Sequence, residues 1–199
     1  MQSSLRTPAQ IVVIGASAGG IDALRTIVGG LPADFAPAIF VVLHSAPNSP
    51  GVLASILQRA GRLAAVVVRS RQAIREGTIY VAAPDRHLVV DTNWAIATRG
   101  PKENHFRPAV DPLFRSAAQT FGPGVIGVIL SGGLDDGSAG LLTVKQHGGT
   151  TIVQDPATAL YPSMPLSALS RVDVDHCVPA EDIAPLLIRL ARETTTGDR

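Results

Sequence analysis

The chain has 199 residues, 46% of them apolar and 17% charged, and its 17 basic and 16 acidic side chains leave a net charge of +1. This composition suits one well-buried domain over residues 1–199, with its core at about 9–193, and excludes a disordered chain, a basic nucleic-acid surface and a polybasic membrane anchor. Cys177 is the only cysteine, so there is no intramolecular disulfide and no cysteine zinc cluster. No metal or cofactor is expected. No uninterrupted apolar run approaches the ~20 residues of a membrane helix. Residues 1–10 lack the basic start and apolar stretch of a signal peptide, so a cytoplasmic, non-membrane protein is expected.

Residues 11–14 (IVVI) form an apolar, strand-like run that enters Gly15-Ala16-Ser17-Ala18-Gly19, and a helical pattern over 21–29 follows at once. Strand, Gly-x-Ser-x-Gly and helix make the context of a nucleophile elbow, with Ser17 exposed at the strand's carboxyl end. The same order of elements also opens any doubly wound α/β domain, and a helix start there can hold a phosphate. The dinucleotide spacing Gly-x-Gly-x-x-Gly is absent, and no Gly-Lys-Ser/Thr follows.

Further strands are predicted at 39–43, 65–68, 78–82, 125–130 and 150–153, with shorter ones at 88–90 and 94–97. Several are continuously apolar, as parallel strands covered on both faces should be. The two short strands flank Asp91-Thr92-Asn93 and predict a β-hairpin. Helices are predicted at 50–60, between Pro50 and Gly61, at 111–120, where Asp111-Pro112 reads as an N-cap and first turn, at 138–147 and at 181–193. Residues 99–109, rich in Gly, Pro, Lys, His and Arg, should form an exposed loop, and 193–199 a frayed polar tail.

In open parallel sheets ligands bind beyond the carboxyl ends of the strands. Ser17, His44 and the Asp135-Asp136 pair all follow strands, which supplies the set a Ser-His-Asp mechanism needs. His176, after residues 172–175, competes with His44, although position favours His44. His87 begins a strand and so sits at the wrong edge. His147 precedes Gly148-Gly149 and suits a helix C-terminus, and His105 lies in the loop. Asp85 and Asp155 read as turn residues. Of Asp135 and Asp136, one can cap the helix near Ser138 while the other orients a histidine, and spacing leaves open which.

With these residues assembled, the chain resembles the catalytic domain of the chemotaxis protein-glutamate methylesterases, the CheB family. The pieces that carry the resemblance are IGASAGG at 14–20, VLH at 42–44, GTIYVAAPDRHL at 77–88, RPAVDPLFRS at 107–116, LSGGLDDG at 130–137, and Gln154-Asp155 through Met164-Pro165. The resemblance implies a doubly wound α/β fold with a mainly parallel sheet, helices on both faces and one β-hairpin. It places the nucleophile on Ser17, the histidine on His44 and the aspartate on Asp136. Asp135 stands where the family often has asparagine, Gly133-Leu134 where it often has Met-Gly, and Ser45-Ala46-Pro47 departs from the usual Met-Pro.

The implied activity is hydrolysis of glutamyl methyl esters on the cytoplasmic helices of methylated chemoreceptors, releasing methanol, with receptor glutamine deamidation in many members. Family enzymes usually carry a receiver domain ahead of the catalytic one. With about ten residues before the first strand, none is expected here, so a separate response regulator or methyltransferase is the expected partner. Elbow geometry points to the amide of Ala18 as an oxyanion donor and to the Gly132-Gly133 turn, at Gly133, for a second. Lys102 and Arg107 are the expected contacts to an acidic receptor surface. The competing readings are a stand-alone serine esterase or amidase acting on another acyl group, and a non-catalytic receptor-binding module.

Overall fold

The computed structural model describes residues 10–196. Its centre is a seven-stranded parallel sheet built from β1 (Ile11–Ala16), β2 (Ala38–Leu43), β3 (Ala64–Val68), β5 (Thr78–Ala82), β8 (Val125–Ile129), β9 (Thr150–Gln154) and β10 (His176–Val178), in the order β10-β9-β8-β1-β2-β5-β3. A separate antiparallel sheet has the order β4-β7-β6, from β4 (Arg71–Ala73), β6 (His87–Val90) and β7 (Trp94–Thr98). The helices are α1 (Gly20–Gly30), α2 (Leu53–Ala60), α3 (Val110–Phe121), α4 (Ser138–Gln146), α5 (Ser163–Arg171) and α6 (Ala180–Thr196).

Strand β1 shows why the fold is double-faced. All six of its residues are buried, and successive side chains point to opposite sides. Val12 and Ile14 enter a core with Leu24 and Ile27 of α1, Leu57 of α2 and Ile183 and Leu187 of α6. Ile11 and Val13 enter a second core with Leu113 and Phe114 of α3, Leu141 of α4 and Met164 of α5. Each fully buried Leu, Ile or Phe contributes about 1.5–3 kcal/mol, so a polar residue on either face of β1 would be costly. The expected α/β architecture with helices on both faces is what the structure has.

The differences from the sequence reading have local causes. The expected hairpin is the β6–β7 pair, but β4 joins β7 to make three strands. Its three residues, Arg-Gln-Ala, carry no apolar alternation to detect. Helix α5 has no counterpart among the predicted elements, and its third residue is Pro165. It lies in the first turn, where no intrahelical N–H partner is required. Strand β10 is only three residues long. Helix α2 begins at Leu53 and not near Pro50, since Gly51 at φ 66° turns the chain out of helix. The tail expected to fray from 193 is helical to Thr196. Residues 197–199 and the leader 1–9 lie outside the described residues. Among the described residues, no helix is long and apolar enough to cross a membrane.

Candidate active site

Strand order reverses around β1, which pairs with β2 on one side and β8 on the other. The loops leaving these three strands therefore meet, as expected at a topological switch point. Hydrogen bonds lace them together: the Ser17 amide donates to the Ser131 carbonyl at 3.0 Å, and the His44 amide to the Ala16 carbonyl at 3.1 Å. The Ser131 hydroxyl donates to the Ala18 carbonyl at 2.9 Å and accepts from the Tyr161 amide at 3.0 Å.

Ser17 stands between the end of β1 and the start of α1, which Gly19 caps with φ 74°. A Cβ at Gly19 would lie 2.8 Å from both Leu160 Cβ and Ser131 Oγ, so both conformation and space favour glycine there. Gly132 makes the second close approach. A Cβ on it would lie 2.8 Å from Ser17 Cβ and 2.1 Å from Met164 Sδ.

His44 and Asp136, distant in sequence, pair at 2.6 Å from Nε2 to Oδ2, with side chains 4% and 0% exposed. A carboxylate only accepts, so Nε2 carries the proton in this pair. Nδ1 of His44 is also buried and has no hydrogen-bond partner among the described residues. The Phe106 ring stacks on the imidazole with centroids 3.6 Å apart and planes 7° from parallel.

Asp136 is saturated with donors. Its Oδ2 also accepts from the Val110 amide at 2.7 Å, and Oδ1 accepts from Asn104 Nδ2 at 2.7 Å and the Asp111 amide at 3.2 Å. Burial acts to raise its pKa, but the bonds from His44, Val110 and Asn104 outweigh this and hold it below the usual carboxylate range. Asp111 is shifted the other way. Burial raises its pKa and the nearby Asp136 charge adds to that, against the bond from the Gly140 amide.

These contacts correct two readings of the sequence. Asp111 does not cap its own helix, since the N-cap of α3 is Ala109 with no side-chain bond. Instead Asp111 accepts from the Gly140 amide of α4 at 2.7 Å. Neither Asp135 nor Asp136 caps α4 through its side chain, because Gly137 is the N-cap. Asp136 receives the first amides of α3 instead, and Asp135 pairs with Arg171 on the surface. The two helices are thus capped reciprocally, each by a carboxylate from the other's segment, where an anion is favoured by the helix dipole.

The other candidates are dispersed. His176 begins β10, at the opposite end of the strands from Ser17. His87 is buried, bridging the Pro101 carbonyl and the Ala109 amide. Nδ1 of His147 contacts the Thr143 carbonyl in the last turn of α4. Asp155 accepts from the Ala157 amide in a turn. Asp85, at φ 58°, binds Arg107 and Arg99. The guanidinium of Arg107 is thereby committed to Asp85 at 2.6 Å and to the Gly100 carbonyl at 2.7 Å. Lys102 is exposed and makes no ion pair among the described residues.

A cleft of about 740 Å³ opens here, lined by Ser17, Ala18, His44, Lys102, His105 and Phe106 among others. The Gly132 amide donates to the Tyr161 carbonyl at 2.9 Å and is unavailable to a ligand. Ala18 and Gly133 make no such amide bond among the described residues, which leaves both as possible donors to a developing oxyanion. No cluster of three or more His, Cys, Asp or Glu that could hold a metal occurs among the described residues. Sequence reasoning missed Asn104, Phe106, Ser131 and the cross-capping role of Asp111, none of which has a local signature.

The family model described as CheB methylesterase matches residues 12–187. The chain belongs to the CheB methylesterase family. The catalytic domain of the Thermotoga maritima CheB methylesterase superposes with a TM-score of 0.87 at 34% identity, over 91% of this chain and 98% of that one. A Leptospira interrogans relative, 38% identical over 182 residues and matched over 91% of this chain and 94% of its own, bears the name protein-glutamate methylesterase/protein-glutamine glutaminase as a provisional assignment. An Anaeromyxobacter dehalogenans relative named protein-glutamate methylesterase/protein-glutamine glutaminase 2 is 39% identical over 183 residues. The match spans 92% of this chain but 54% of that relative.

Proposed function

We propose that this chain is a protein-glutamate methylesterase, hydrolysing glutamyl methyl esters on the cytoplasmic helices of chemoreceptors with Ser17, His44 and Asp136 as its catalytic set. The observation that carries this reading is the buried His44–Asp136 pair, 2.6 Å apart, beside a cleft lined by Ser17. Nδ1 of His44 takes the Ser17 proton as Oγ attacks the ester carbonyl. The tetrahedral oxyanion is held by the amides of Ala18 and Gly133. His44 then returns the proton to the departing methoxide, releasing methanol and leaving a glutamyl-serine ester. Water, deprotonated by the same nitrogen, cleaves that ester to the free carboxylate and restores Ser17. Asp136 keeps the proton on Nε2 and stabilises the imidazolium. The relatives' second name, protein-glutamine glutaminase, supports glutamine deamidation by the same steps with ammonia as leaving group.

The substrate is a helical surface and must rest on more than the cleft. Leu160 is 72% exposed against Gly19, and Leu134, Tyr161 and Leu166 are exposed on the adjoining loops and α5. Leu160 and its neighbour Tyr161, next to the Ser17 turn, give an exposed apolar ledge suited to the apolar stripe of an amphipathic helix. This reading locates the chain in the cytoplasm with a methylated receptor as partner, and a separate response regulator or methyltransferase as a further one.

The test is methanol release from methylated receptor cytoplasmic fragments, compared with hydrolysis of small methyl esters. Release from the fragment with little turnover of small esters supports the reading. The reverse preference makes the chain an esterase for another acyl group, and no turnover of either favours a binding module. The salt dependence isolates the loop. Raising ionic strength to about 0.3 M should increase the wild-type KM roughly two- to five-fold by screening Lys102 from an acidic helix. Lys102→Ala should lose most of that response, and equal responses would remove Lys102 from the substrate surface. Arg107 lines the same cleft, with its guanidinium held by the Gly100 carbonyl and by Asp85, which Arg99 shares.

A further inference from the structure

The segment from Gly100 to Ala109 is far more tightly built than an exposed basic loop needs to be. Glu103 and Phe106 exchange backbone hydrogen bonds at 3.1 and 2.8 Å. Asn104 and His105 between them both have left-handed φ, 50° and 72°. Two left-handed residues define the tight hairpin turn whose twist matches paired strands, and asparagine is among the few side chains that accept the first position. Arg115 of α3 grips both carboxylate oxygens of Glu103 at 2.7 and 3.0 Å. Arg107 is held by Asp85 and the Gly100 carbonyl, and His87 spans the loop's two ends through the Pro101 carbonyl and the Ala109 amide. These anchors aim two side chains at the buried pair.

We propose that the Glu103–Phe106 turn is a clamp on the catalytic pair, in which Asn104 and Phe106 are positioning residues for Asp136 and His44. The clamp rests on the reading of His44 and Asp136 as catalytic. Asn104 Nδ2 has two hydrogens and gives one to Asp136 Oδ1 at 2.7 Å and the other to Asp111 Oδ2 at 2.8 Å. A single amide thus bridges two buried carboxylates that would otherwise repel, and it fixes the rotation of the one that holds His44. Phe106 does the complementary work. Among the described residues the imidazole of His44 is hydrogen-bonded through Nε2 alone, so hydrogen bonding by itself does not stop the ring tilting about that bond. A parallel aromatic face at 3.6 Å blocks the tilt and keeps Nδ1 in its working direction. Misplacing a catalytic group by about 1 Å costs on the order of 100-fold in rate.

The experiment uses the full chain with Asn104→Gly, which keeps the left-handed turn and deletes only the amide, and Phe106→Leu, which keeps bulk and deletes the flat face. Four quantities are read: the rate of Ser17 labelling by a fluorophosphonate, kcat and KM for methanol release, the imidazole nitrogen shifts of His44, and the thermal midpoint. Both variants should slow labelling and kcat by about 10- to 100-fold with KM within about two-fold of wild type. The His44 nitrogens should move away from a pure Nε2–H tautomer, and Phe106→Tyr should behave as wild type. Wild-type labelling rates with unmoved His44 shifts would overturn the clamp. So would a rate loss that follows the thermal midpoint and leaves the shifts in place. If wild type releases no methanol yet the variants label slowly, the substrate reading fails and the clamp stands. If the probe does not label wild-type Ser17, the nucleophile reading fails and the His44 shifts alone decide the clamp.

Discussion

Ser17→Ala should lower methanol release by a factor on the order of 10⁴ to 10⁶, the cost of deleting a serine nucleophile that works as a unit with its base. The fold should survive, because the Ser17 hydroxyl makes no hydrogen bond among the described residues while its Cβ, which alanine keeps, is what packs beside Gly132. A stability change within about 0.5 kcal/mol is therefore expected from urea unfolding. The pairing of these two results matters more than either alone. Full loss of turnover with unchanged unfolding assigns Ser17 to chemistry. Retained turnover would move the nucleophile elsewhere and reduce Gly15–Gly19 to a turn. Residual binding of methylated fragment by Ser17→Ala, measured directly, would separate the ledge at Leu160 and Tyr161 from the reacting centre.

What the sequence showed, and what it hid, divides along one line: features carried by consecutive residues against features made by the fold. The strand before Ser17, the glycine turn and the helix after it are written in ten successive residues, and β1 and α1 form there. The buried strands were visible as apolar runs for the same reason. His44 follows a legible apolar strand, so position favours it over His176 without excluding the latter. That His176 begins a strand is hidden because β10, three residues long, has no periodicity. Asp136 could not be told from Asp135 by spacing, and it took the family resemblance to choose. In the structure the two differ completely: one is buried under four donors, the other is paired with Arg171 at the surface.

The loop at 99–109 shows the same limit from the other side. Its composition reads as solvent-exposed, and Lys102, Asn104 and His105 are indeed exposed. Yet Phe106 covers His44 and Asn104 reaches Asp136, because α3 begins directly after the loop and its first amides need an anion. That anion comes from the segment leading into α4, and the anion that α4 receives comes from α3. Reciprocal capping between residues some 25 to 30 apart leaves no trace in a window of sequence. It is nevertheless what places the carboxylate that holds His44, so the packing of two helices and the orientation of one histidine are a single structural fact.

Asp136→Asn tests that unity, because it should cost activity and stability together. An amide at 136 presents a donor where His44 Nε2–H and the Val110 amide both require an acceptor, so the imidazole is turned to the wrong tautomer. A loss of about 10⁴-fold in kcat is expected for that change. The same substitution removes the anion from the start of α3, at about 1–3 kcal/mol. The pH dependence of that second cost follows from the direction of the shift. Asp136 is held below the ordinary value of 3.8 in the folded chain. Its stabilisation is therefore fully present above 3.8 and is lost as pH falls through the lower, folded value. Asp111, raised above 3.8, contributes in the opposite sense: its share is present below 3.8 and is lost as pH rises through the folded value. Urea unfolding of wild type and Asp136→Asn at pH 7, 5 and 3 should show a gap that is widest at pH 7, holds at pH 5 and narrows at pH 3. A gap independent of pH would mean that the Asp136 charge adds nothing to the capping of α3, and that its hold on His44 is geometric alone.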